Sequence, residues 1–168
     1  NGTIVGQGGW YEYINGANFI VQGTSTFEGT KALYNNALAD SVVNKAGNAL
    51  SDGQQAVYVK TENRASWGAY WPGNAQVRIS KGQWGGSELR SYALVTFKSD
   101  GNVAYYAGQV NGADIYTNFS TYNDNEWTLL EFEWRSSDKK ARNRVNNGIW
   151  TDWHSISGSG TFTDFDNV

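Results

Sequence analysis

The sequence has no cysteine and no methionine, and only one proline and one histidine. Without cysteine there is no disulfide, no thiol nucleophile and no thiolate metal site. A single histidine, His154, excludes a multi-histidine metal centre. Charged residues make up only 17% of the chain, and the formal net charge is −3. Nucleic acid demands a basic surface, so it is not an expected partner. No apolar run approaches the ~20 residues of a helical membrane span. Long Ala/Leu/Glu/Lys helical patterns are missing as well, and the one helix-tolerant piece, residues 36–40, is too short to matter. A start at Asn1 rather than Met is expected of a processed chain or an excised domain.

What is present is aromatic and glycine-rich: 8 Trp, 10 Tyr, 7 Phe and 20 Gly in 168 residues. Aromatic and β-branched runs punctuated by Gly, Asn, Asp and Ser predict an all-β sandwich or barrel, most simply as one monomeric domain. Ten strands are predicted, at 19–21, 31–34, 42–45, 56–61, 76–80, 92–98, 103–106, 127–134, 141–145 and 160–165. Three hairpins can be registered. "FKSDGNVAY" predicts a two-residue turn at Asp100-Gly101, with Phe97 facing Ala104. "LLEFEWRSSDKKARNRV" predicts a turn near Ser137-Asp138 that sets Trp134 against Ala141, Glu133 against Arg142, Glu131 against Arg144 and Leu130 against Val145. "RVNNGIW" predicts a turn at Asn147-Gly148, with Val145 facing Trp150 and Arg142 facing Trp153.

The opening "NGTIVGQGGW", the hairpin "FKSDGNVAYY", the strand "NEWTLLEFEW" leading to "RVNNGIW", and the terminal "FTDFDNV" together resemble the concanavalin A-like lectin/glucanase superfamily. The likeness is nearest to its laminin-G-like and pentraxin-like domains. The resemblance implies an antiparallel β-sandwich of jelly-roll form, in a secreted or cell-surface protein, that binds sugar on a concave sheet or on rim loops. It carries fold more than function.

Glu131 and Glu133 stand at i and i+2, so both carboxylates project from one sheet face about 6.5–7 Å apart. Inverting glycosidases separate their two carboxyls by about 6.5–9.5 Å and retaining ones by about 5–5.5 Å. Glucanases of the superfamily carry a Glu-x-Asp-x-x-Glu strand, but the third acid falls here on Ser136. The hairpin register offers a second reading, a cross-strand ladder with Arg144 and Arg142. Asp164 and Asp166 share one face of the last predicted strand. The resemblance implies a structural Ca2+ held near the two termini, for which Glu12 is the available N-terminal acid; the other reading is solvated edge-strand acids.

The tryptophans divide by pattern. Trp134 shares a face with Leu130 and Phe132 and is expected in the core, as is Trp150. Trp127 shares the glutamate face with Leu129, and Trp153 is placed for a cation–π stack on Arg142. Trp10 is expected to plug one end of the sandwich, and His154 to lie at the surface. That leaves Trp67, Tyr70 and Trp71 in "ASWGAYWPG", and Trp84 in "KGQWGGSE", in turn-rich segments. A sugar could stack on those rings, with Arg64, Asn63 and Asn74 bonding its hydroxyls. They could equally cap the sandwich or meet another protein. Three function classes follow: a non-catalytic module binding a polysaccharide or glycan, a polysaccharide hydrolase or lyase using Glu131 and Glu133, and a structural or adhesion module. The first is the expected one, and extracellular localisation goes with it.

Overall fold

A computed structural model describes residues 2–3, 10–14, 19–22, 32–35, 42–62, 75–81, 91–156 and 165–167, with side chains at 51–62, 75–81 and 93–156. Fourteen strands lie in these stretches: β1 (Gly2–Thr3), β2 (Trp10–Ile14), β3 (Phe19–Gln22), β4 (Ala32–Asn35), β5 (Val42–Leu50), β6 (Asp52–Lys60), β7 (Ala75–Lys81), β8 (Ser91–Phe97), β9 (Asn102–Val110), β10 (Ala113–Thr121), β11 (Trp127–Arg135), β12 (Lys140–Val145), β13 (His154–Ser155) and β14 (Phe165–Asn167). Among the described residues there is no helix, and so none long and apolar enough to cross a membrane.

The strands form an antiparallel β-sandwich. A seven-stranded sheet runs β10-β9-β8-β7-β14-β5-β2, and a four-stranded sheet runs β13-β12-β11-β6; β1, β3 and β4 make a small third sheet. Period-two patterning explains how the two larger sheets meet. Along β11 every second residue is buried, with Thr128, Leu130, Phe132 and Trp134 inward and Leu129, Glu131, Glu133 and Arg135 outward. Leu130, Phe132 and Trp134 then pack with Ala141 and Val145 of β12 against Ile79, Val95, Phe97 and Val103 of the facing sheet. Each fully buried Leu or Phe contributes about 1.5–3 kcal/mol of transfer free energy. Tyr122 closes one end. Its ring meets Phe97 edge-on at 5.2 Å, and its hydroxyl donates to the Lys98 carbonyl at 2.6 Å.

One glycine in this core has a steric reason. Gly53 faces Trp134 across the β6–β11 ladder, and a Cβ there would lie 2.7 Å from the Trp134 indole. The missing side chain is the space the indole fills.

The β11–β12 register agrees with the sequence at all four predicted pairs. Two other turns depart from expectation. Phe97 faces Val103, not Ala104. The Asp100-Gly101 turn is a three-residue loop, with Gly101 at φ 88° and the Gly101 N–H donating to the Lys98 carbonyl. A left-handed third residue is what such a loop requires, and it shifts the register by one. At the other turn, the left-handed residues are Asn146 and Asn147 (φ 51° and 57°), one position earlier than predicted, and Gly148 N–H donates to Val145 carbonyl. The pairing beyond it recovers: Ala141 faces His154, which continues the predicted Arg142–Trp153 register.

Candidate functional site

The two larger sheets treat their outward faces differently. On the seven-stranded sheet, Ser80, Leu94, Thr96, Ala104 and Tyr106 point away from the main core, yet all are buried. On the four-stranded sheet the outward face meets solvent. Gln54, Ala56 and Tyr58 of β6 are exposed, and the outward residues of β11 and β12 are half-buried.

The registers lay this face out in rows across β6, β11 and β12. Lys60 stands beside Trp127, and Tyr58 beside Leu129. Ala56, Glu131 and Arg144 form the next row, then Gln54, Glu133 and Arg142, then Asp52, Arg135 and Lys140. The Arg144 guanidinium holds Glu131 in a two-point grip, Nε to Oε2 at 2.6 Å and Nη2 to Oε1 at 2.8 Å. That bond raises the Arg144 pKa above its ordinary value. Arg142 binds Glu133 differently, since Nε and Nη2 both address Oε2, at 2.6 and 2.5 Å. Arg135 pairs with Asp138 at 2.6 Å. Glu131 and Glu133 are thus the cross-strand ladder, not a pair of unengaged carboxyls.

Two tryptophans complete the arrangement. Trp153 lies under Arg135 at 3.9 Å and under Arg142 at 4.7 Å. Trp150 lies under Arg142 at 4.8 Å and under Arg144 at 4.6 Å. Guanidinium and indole therefore alternate from Arg135 of β11 along the outer side of β12, in the order Arg135, Trp153, Arg142, Trp150, Arg144. Each contact is a charge–quadrupole attraction worth about 0.5–1 kcal/mol at an exposed site. The Trp153–Arg142 stack is as expected, but Trp150 is not a core residue. The irregular run 148–153 breaks the alternation that placed it opposite Val145, and delivers its ring to the arginines on the outer face.

His154 also departs from expectation, in the opposite direction. It faces inward, its ring stacked on Tyr105 of the other sheet at 3.9 Å and 7°. Asn143, 1% exposed, sets its amide nitrogen 2.8 Å from His154 Nε2. Which of the two donates follows from the imidazole tautomer and the orientation of the Asn143 amide. Burial pushes the His154 pKa down to about 4, against a smaller opposing effect of a backbone hydrogen bond at Ser155.

The remaining sequence candidates fall elsewhere. Arg64, Trp67, Tyr70, Trp71 and Trp84 lie outside the described residues, as do Asn63 and Asn74. Their attachment points are described: the first segment enters β7 at Ala75 and the second leaves it at Lys81, about 20 Å apart by strand rise. Asp164 is likewise outside. Glu12 in β2 and Asp166 in β14 are strands of the same sheet, with β5 between them, and their side chains are not described, nor is that of Trp10. Among the described residues no three acidic or histidine groups gather as a metal site. Tyr58, Ala56 and Gln54 escaped the sequence reading, although the alternation of "QQAVYVK" is enough to put all three on one face.

A scan against protein-family models finds no match, and a search of curated proteins finds none either. Among solved structures the fold is similar to part of a sialidase, at 13% identity and TM-score 0.57, over 95% of this chain and 13% of that one. It is also similar to a conserved carbohydrate esterase from the Shiga toxin-encoding bacteriophage phi24B, at 18% identity and TM-score 0.55, over 95% of this chain and 81% of that one. Likeness at these identities is one of fold alone, and the chain spans about an eighth of the sialidase.

Proposed function

We propose that this chain is a non-catalytic carbohydrate-binding module that holds polysaccharide outside the cell, on a sandwich of concanavalin A-like form. The observation that carries the reading is the open outer face of the four-stranded sheet. It offers aromatic rings, amide and carboxylate groups to solvent, while most of the guanidinium and carboxylate groups are already bound to each other. Aromatic surface supplies stacking, and pre-oriented polar groups bond hydroxyls with little ordering cost. The fold's likeness to portions of carbohydrate-active proteins supports the same class. Support for a non-catalytic role comes from Glu131 and Glu133, whose carboxylates are engaged by arginine. Affinities of order ~10 μM to ~1 mM per site are expected of such a surface.

Affinity electrophoresis through gels containing single polysaccharides tests this. The chain is expected to be retarded by at least one of them. Reducing-end assays on the same polysaccharides are expected to stay flat. Absence of retardation in every gel, with and without calcium, refutes binding; release of reducing ends refutes the non-catalytic assignment.

A further inference from the structure

On β6, the small side chain of Ala56 is exposed between two larger exposed neighbours on the same face, Gln54 and Tyr58. Tyr58 is 40% exposed. Four residue steps separate Gln54 from Tyr58, about 13 Å at ~3.3 Å per residue. The notch above Ala56 is walled on its inner side by Glu131, directly across the ladder, and by Glu133 across from Gln54. Among the described residues β6 is the end strand of this sheet, and no described strand pairs with its other side.

The polar groups lining it are acceptors. Glu131 receives one hydrogen bond on each carboxylate oxygen, and each oxygen has a second lone pair. Glu133 spends only Oε2 on Arg142, so Oε1 has no protein partner among the described residues. Gln54 adds an amide that both donates and accepts. The cations beside this strip are each paired with a carboxylate: Arg142 and Arg144 with those same two, and Lys60, beyond Tyr58, with Glu62 at 3.3 Å. A ligand here must supply hydrogen-bond donors and an apolar face, and must carry no negative charge. A neutral sugar chain does all three, with hydroxyls to donate and C–H faces to stack on Tyr58. A uronate or sialate would meet two carboxylates and no uncompensated cation.

We infer that Gln54, Ala56 and Tyr58, with Glu131 and Glu133, form a binding strip for a neutral polysaccharide. This rests on the carbohydrate-binding reading and adds both a place and a ligand class. All five residues lie outside segments 63–74 and 82–90.

The test uses the full chain, with xylan, β-glucan and galactomannan as neutral probes and polygalacturonate and alginate as acidic ones. Binding to a neutral probe is expected to be insensitive to added salt, because no ion pair forms on binding. Ala56→Trp, which fills the notch at an exposed strand position, is expected to weaken it about tenfold or more, equivalent to about 1.4 kcal/mol. Gln54→Ala, with melting temperature measured alongside, is expected to weaken it in the same direction and guards against a folding defect in the first variant. Wild-type binding that both variants leave untouched overturns the strip while the carbohydrate-binding reading stands. Preferential binding of the acidic probes, fading with salt, overturns the ligand class. Failure of every probe to bind the wild type overturns the underlying reading and the strip with it.

Discussion

At the residue scale, two side chains carry the clearest consequences. His154 is held neutral between Tyr105 and Asn143. Its folded pKa of about 4 lies below its ordinary 6.5. Above pH 6.5 it is neutral folded or unfolded and costs nothing. Between 6.5 and 4 the unfolded chain takes up a proton that the folded chain refuses, so stability falls as pH falls through that window, by roughly 3 kcal/mol. Urea midpoints measured across this range for the wild type and for His154→Gln test it. The wild type is expected to lose the additional stability; parallel curves would contradict the assignment. Trp153 is the other. It is stacked under both Arg135 and Arg142, so Trp153→Ala removes two cation–π contacts and part of the cover on β12. A loss of about 1–3 kcal/mol in thermal or urea unfolding is expected. A loss within experimental error would mean that the ladder is an ornament of the surface.

At the scale of the element, what was legible in the sequence depended on local pattern. The β11–β12 hairpin was readable because two codes agreed. Leu130, Phe132 and Trp134 alternate with Glu131 and Glu133, and the arginines fall two apart on the return strand. A one-residue slip would have buried all four charges. The β8–β9 turn was misread by one because a left-handed Gly101 closes a longer loop than Asp-Gly usually marks. β10 lies outside the predicted strands, although Asn111-Gly112, both left-handed (φ 52° and 80°), is an Asn-Gly hairpin signal like Asn147-Gly148 and joins Val110 to Ala113. The candidate site was half legible. Its carboxylates and arginines were placed by register, whereas Trp150 and His154 follow an irregular segment where period two no longer assigns a face. Gly53 marks a third kind of information, steric rather than periodic. Gly53→Ala would push a methyl into the Trp134 indole, and a destabilisation of about 1–3 kcal/mol is expected from overpacking. An unchanged melting temperature would show that Trp134 has room to move.

At the scale of the whole molecule, the sandwich assigns different tasks to its layers. The inner faces bury the apolar alternates of both sheets, while outward residues of the seven-stranded sheet are buried on its second face as well. The outer face of the four-stranded sheet is left to solvent and is stiffened by its own charges: three arginines are each tied to a carboxylate, and the five-member stack fixes the segment 150–153 against β12. A surface ordered before its ligand arrives loses less entropy on binding. Among the described residues this face is the exposed one, aromatic and rich in hydrogen-bond acceptors.

Backbone amide shifts recorded while a soluble neutral oligosaccharide is titrated into the labelled chain test that reading most directly. The account predicts saturable shifts concentrated at 54–58 on β6 and 131–133 on β11. Shifts confined to the seven-stranded sheet, or no shifts with any neutral oligosaccharide, would contradict it.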